Sequence, residues 1–161
     1  MAQSGLGKAC TNVVTEYRLR THEQSAKYAI EIDLMTLAQI KEQLRELLWS
    51  YRDFHLSDLD KKGLTADEQK SLEAKSNLAW ATLNAAFGHK KEFTETYLKD
   101  SSDGAAERIQ QQLKLWTDSI QWPGESQQSM WCGNAETVEE YHKMTRQFLD
   151  GTLWPFIKVI R

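Results

Sequence analysis

With 161 residues, 40% of them apolar and 27% charged, the chain has the make-up of one globular domain with a sizeable core, which excludes a wholly disordered or fibrous protein. Its 20 basic and 23 acidic side chains are interspersed and leave a net charge of -3, so composition makes no case for a nucleic-acid or anionic-membrane ligand. No apolar run is long enough to span a bilayer and the first residues do not read as a secretory signal, so the expectation is an intracellular protein, cytoplasmic or nuclear. Cys10 and Cys132 are too far apart in sequence for a metal knuckle and too few for a disulfide framework, which fits a reducing compartment.

The chain opens with "SGLGKACTNVVTEYRLR", residues 4–20, which imitates a phosphate-binding loop. A Walker A loop needs G-x-x-x-x-G-K-[ST], because wrapped backbone N–H groups cradle the phosphates while lysine and hydroxyl reach phosphate and Mg²⁺. Gly7-Lys8 is followed by Ala9 instead of a hydroxyl, and the first glycine would fall on Ala2. Lys8 is therefore read as part of a Gly-rich terminus.

Period-two alternation predicts a strand over 13–19, with Val13, Thr15, Tyr17 and Leu19 on one face, and a second in "KYAIEIDLM", where Tyr28, Ile30, Ile32 and Leu34 alternate with Ala29, Glu31 and Asp33. The polar "RTHEQSA" between them reads as a hairpin loop.

The period then becomes helical. Thr36 is placed to cap a helix whose apolar stripe is Leu37, Ile40, Leu44, Leu47, Leu48, Tyr51 and Phe54, and Leu44 and Leu47 are both expected in its core. Thr65 and Glu68 spell a capping box for a second helix carrying Leu72, Ala79, Leu83 and Phe87 and stopping at Gly88. A short helical piece is expected in "KKEFTETYLK", then a helix with Ile109, Leu113, Trp116 and Ile120, a loop over 123–133, and a last helix from near Asn134 presenting Val138, Tyr141, Met144 and Phe148. Phe156 to Ile160 reads as a strand.

Several motifs lose to plainer readings. "DLDKKGLTADEQ" has Asp58, Asp60 and Gly63 at the first, third and sixth positions of a calcium loop, but Lys62 and Gln69 stand where oxygen ligands belong. His22, His55, His89 and His142 show no metal-ligand spacing, Glu139-Glu140 reads as a solvated helix face, and the six tryptophans as packing residues.

Taken together, "ACT" with "VVTE" over residues 9–16, the "AIEI" strand within 28–32, the leucine-rich "IKEQLRELL" and the closing "LWPFIK" resemble the switch I strand, following strand, helical insertion and returning strand of dynamin-like large GTPases. The likeness is greatest to the branch holding fungal dynamin-type proteins and vertebrate nuclear GTPases. It implies that Thr11 is the switch I threonine, whose hydroxyl ligates Mg²⁺ and whose N–H reaches the γ-phosphate of GTP. It also implies that the family's P-loop lies upstream of residue 1 and its D-x-x-G strand downstream of Arg161.

The resulting expectation is a mostly helical α+β segment, one partial GTPase-like domain divided as 1–35, 36–151 and 152–161. Its small antiparallel sheet combines a two-strand hairpin with the C-terminal strand, residues 155–161 lying beside 13–19. With GTP and Mg²⁺ as the family's cofactors, the chain alone is expected neither to bind nor to hydrolyse GTP. The competing expectation is a helical module that docks a protein partner through its tryptophan-rich faces, with no nucleotide chemistry.

Overall fold

The computed structural model describes residues 14–16, 18, 22–57, 63–120, 129–149 and 153–161. Among the described residues the strands and α-helices follow in order as β1 (Val14–Thr15), β2 (Tyr28–Leu34), α1 (Leu37–Leu56), α2 (Ala66–Phe87), α3 (Glu95–Leu98), α4 (Ala105–Asp118), β3 (Met130–Ala135), α5 (Val138–Leu149) and β4 (Ile157–Ile160), with a 3-10 turn at Trp154–Phe156 leading into β4. The fold is mostly helical, with a small, largely antiparallel sheet.

Local chemistry sets the helix starts where the sequence places them. The Thr36 hydroxyl accepts from the Gln39 N–H while the Gln39 side chain accepts from the Thr36 N–H, and Thr65 and Glu68 do the same for α2. Each box satisfies two otherwise orphaned donors and contributes about 1 kcal/mol. A third box opens α5, where Glu140 accepts from the N–H groups of Glu136 and Thr137 and donates its own N–H to Thr137. Glu140 is thus a capping residue rather than merely half of a solvated acidic pair. Gly104, which precedes α4, has φ 68°, a left-handed backbone that strains any residue with a Cβ.

The sheet order is β1-β4-β2-β3. Residues 155–161 do lie beside the first strand, but the pair is parallel, with Val14 opposite Val159 and Thr15 opposite Ile160. The expected hairpin of the first two strands does not form, because β4 inserts between them and pairs antiparallel with β2. The physical reason is that β2 has two edges and β4 brings Ile157 and Ile160 to the apolar face of Ile30, Ile32 and Leu34. β2's other edge takes β3, in the stretch read as a loop running into a helix start, with register from Tyr28 opposite Ala135 to Asp33 opposite Met130.

Two apolar clusters result. The helical one joins Ile40, Leu44, Leu48 and Tyr51 of α1 to Ala79, Leu83 and Phe87 of α2 and Ile109 and Leu113 of α4. The other packs Phe148 of α5 on Ile30, Ile32 and Leu34. The "LWPFI" turn stitches them, since Leu153 and Ile157 belong to the sheet cluster and Phe156 to the helical one. Leu47, expected in the core beside Leu44, is only half-buried, and Val138, expected on the buried face of α5, is 51% exposed. Ala66–Lys75, the first ten residues of α2, includes no buried residue; Leu72 is half-buried.

Candidate functional site

Thr11, with Lys8 and Cys10, lies outside the described residues, as do Asp58, Asp60 and Lys62 of the calcium-like loop. Of the strand predicted over 13–19, residues 14–16 and 18 are described. There the Glu16 N–H donates to the Ile160 carbonyl at 2.8 Å, carrying the β1–β4 ladder one residue further.

At that end of the sheet one guanidinium holds three strands. Arg161 donates through Nε to Glu16 Oε2 at 2.9 Å and through a terminal nitrogen to Asp33 Oδ2 at 2.6 Å. Its own N–H and C=O exchange bonds with Glu31 at 2.7 and 2.8 Å, which fixes Arg161 on the outer face of the sheet opposite Glu31. Glu16 also meets Arg18 at 3.1 Å. The hydrogen bond from Arg161, and then that from Arg18, lowers the Glu16 carboxyl below its ordinary 4.5. The hydrogen bonds that Arg161 donates to Asp33 and then to Glu16 raise its guanidinium further above its ordinary value. The arrangement can position a strand: Glu16, Arg18, Asp33 and Arg161 are each paired with an opposite charge.

The sign of its pH dependence follows. A carboxyl whose folded value is depressed contributes stability that is fully present above its unfolded value near 4.5 and is lost as pH falls through the lower folded value. Acid unfolding of the chain should therefore include a contribution from Glu16 below about pH 4.5. Glu16→Gln should flatten that part of a stability-versus-pH curve and leave the slope above pH 5 unchanged, as read from urea midpoints; an unchanged acid limb would remove Glu16 from the network.

A second cluster joins α1 to α3. Lys99 Nζ donates to Glu95 Oε2 at 2.8 Å and sits 5.6 Å from the centre of the Tyr51 ring, which also lies 4.5 Å from the His55 ring and 5.9 Å from that of Trp80. Burial raises the Tyr51 hydroxyl, and the bond from Lys99 lowers Glu95. Arg52 donates to the carbonyls of Leu98 at 2.7 Å and Asp100 at 2.8 Å, a cation placed at the carbonyl end of α3. These contacts pin a short helix that would not be stable alone.

The four histidines are exposed and scattered, His55 on α1, His142 on α5, and His22 and His89 in turns. Among the described residues no group of three or more His, Cys, Asp or Glu side chains is placed to hold a metal. Among the described residues no helix is long and apolar enough to cross a membrane.

Comparison with known proteins finds no matching family model, no matching curated protein and no matching solved structure. The dynamin-like reading thus stands on the residues that suggested it.

Proposed function

We propose that the chain carries the switch I strand and helical insertion of a dynamin-like GTPase fold, and that on its own it does not bind GTP. The observation that supports this reading most is the parallel pairing of β1, the strand that follows Thr11, with β4, the strand of "LWPFIK". These are the two ends on which the resemblance rests, about 145 residues apart in sequence, and Arg161 ties them together. In this reading Thr11 offers its hydroxyl to Mg²⁺ and its N–H to the γ-phosphate in a protein that also supplies a P-loop, and loss of the γ-phosphate releases a strand braced against β4.

Residues 1–161 contain no G-x-x-x-x-G-K-[ST] and no N-K-x-D guanine-reading sequence. Affinity in such proteins comes chiefly from the backbone cradle and lysine around the β- and γ-phosphates. A fluorescent GTP analogue with Mg²⁺ should therefore show no saturable binding to this chain near 1 μM, an affinity of about -8 kcal/mol. Saturable binding competed by GTP and not by ATP would overturn the reading of a segment inactive alone. Translating the flanking DNA in frame tests the family reading itself: a Walker A sequence upstream and a D-L-P-G-like strand downstream are expected. Intact flanks without them would sink it.

A second reading, a helical module that docks a protein partner, draws on Trp49, Leu78 and Leu115, which are 53%, 44% and 52% exposed on α1, α2 and α4. It gains from flanks that lack the GTPase motifs.

A further inference from the structure

β3 has a described neighbour on one side only, β2, and its register identifies which of its backbone groups face away. Leu34 N–H donates to the Ser129 carbonyl at 2.6 Å, and the backbone groups of Glu31 are spent on Arg161. Antiparallel ladders alternate hydrogen-bonded and non-bonded pairs. The pairs Asp33–Met130, Glu31–Cys132 and Ala29–Asn134 are therefore the non-bonded ones, and Met130, Cys132 and Asn134 point their N–H and C=O groups outward. No hydrogen bond from another described residue reaches these groups. The three side chains are exposed as well.

Natural sheets guard such an edge with a lysine, a proline, a bulge or an inward charge. β3 has none of these: Ser129 to Ala135 is uncharged in a chain that is 27% charged, and its ladder with β2 is regular. The neutrality matters for the choice of occupant. The chain as a whole is acidic, yet a second copy brought to this edge meets no charge of its own sign along the seam.

We propose that β3 is a self-association edge, pairing antiparallel with β3 of a second copy about a two-fold axis at Cys132. Outward groups must meet outward groups, which requires residue numbers across the seam to sum to an even value. Of those registers, the one centred on Cys132 matches all three outward residues, placing Met130 opposite Asn134 of the partner copy and Cys132 opposite its own mate. Each such pair exchanges two backbone bonds at a Cα separation of about 5.5 Å. On the inner face it sets Trp131 opposite a glycine, Gly133. That glycine already lies under Trp131 within its own strand, where an added Cβ would collide with the indole and come within 3.1 Å of Met144 Sδ. The absent Cβ makes room for the chain's own indole, so in this register the partner's Trp131 packs beside that ring and not over the glycine. The result is a continuous sheet of eight strands. A seam of three hydrogen-bonded pairs is small beside a stable interface, so the dimer is weak.

Sedimentation equilibrium on the full chain, from low micromolar to a few hundred micromolar, should show reversible growth of the weight-average mass toward twice the monomer. The amides of Met130, Cys132 and Asn134 should gain at least tenfold protection from hydrogen exchange over the same range. Cys132→Pro removes an outward N–H and spares the ladder to β2, so it should leave a folded monomer; should it fail to fold, Cys132→Lys sets like charges face to face and should do the same. With Cys10→Ser, oxidation by diamide should couple two Cys132 thiols at least tenfold faster than two thiols of Met130→Cys placed in a Cys132→Ser background. Overturning results are a monomer at all concentrations, a dimer that survives the edge variants, equal coupling rates at the two positions, or protection already complete in the monomer. The last would mean that the chain's own residues cover the edge.

Discussion

Replacing Phe87 by alanine should destabilise the fold by about 3 to 5 kcal/mol. Phe87 is 1% exposed and is the last residue of α2. Its ring centre lies 5.7 Å from that of Trp116 on α4 and 6.2 Å from that of Phe93, which in turn stacks on Trp80 at 5.5 Å and 10°. One side chain thus contacts two other segments at the point where α2 ends. Truncation leaves a cavity walled by rigid rings, which relax poorly into the space. Aromatic contacts at these distances add about 0.5 to 1.5 kcal/mol beyond buried area. Urea unfolding followed by tryptophan fluorescence should show a lowered midpoint with little change in slope. Trp49→Ala, at an exposed site, should stay within about 0.5 kcal/mol. A Phe87→Ala loss below 1 kcal/mol would mean that the aromatic cluster does not hold the helices together.

The helices were legible because their signals are local. Thr36, Thr65 and the apolar spacing of α1 act within a few residues of one another, and the structure places caps and buried faces where that chemistry requires. β2 was legible for the same reason, its alternation matching a strand with one buried face. β3 was not. "MWCGNA" contains a glycine and an asparagine, both poor strand formers, and only Ala135 in it is buried. It becomes a strand because β2 offers it an edge and α5 covers Trp131, whose ring lies 4.8 Å from that of Phe148. Nothing within six residues carries that information. The strand order failed for a related reason: two adjacent alternating runs joined by a polar loop favour a hairpin locally, and only the arrival of β4 decides otherwise.

Of the candidate site, Thr11 was proposed from a motif and lies outside the described residues, whereas the Arg161 network was missed. Its members are 145 and 128 residues apart, so sequence spacing could not join them. A usable signal was present: Glu16, Glu31 and Asp33 are all carboxylates on the polar face of predicted strands, and a cationic residue at the end of the third strand is the natural counter-charge once those strands are neighbours.

Leu44 and Leu47 divide what periodicity alone treats as equal. Both fit a helical stripe, yet Leu44 is 2% exposed within the helical cluster while Leu47 is half-buried against its rim. The stripe is wider than the contact area, because α1 is met by α2 on one side and α4 on another, and Leu47 falls where neither covers it fully. Leu44→Ala should therefore cost about 2 to 5 kcal/mol, the range for a leucine removed from a close-packed core. Leu47→Ala should cost about 1 to 2 kcal/mol, since it loses only part of the transfer free energy of a leucine and its space stays open to water. The ratio of the two losses, read from urea midpoints at constant slope, is the quantity that tests the packing. Equal losses would mean that α1 is rotated relative to its neighbours, with Leu47 as deep as Leu44. A larger loss at Leu47 would reverse the assignment of the buried face, and with it the placement of α2 and α4 around α1.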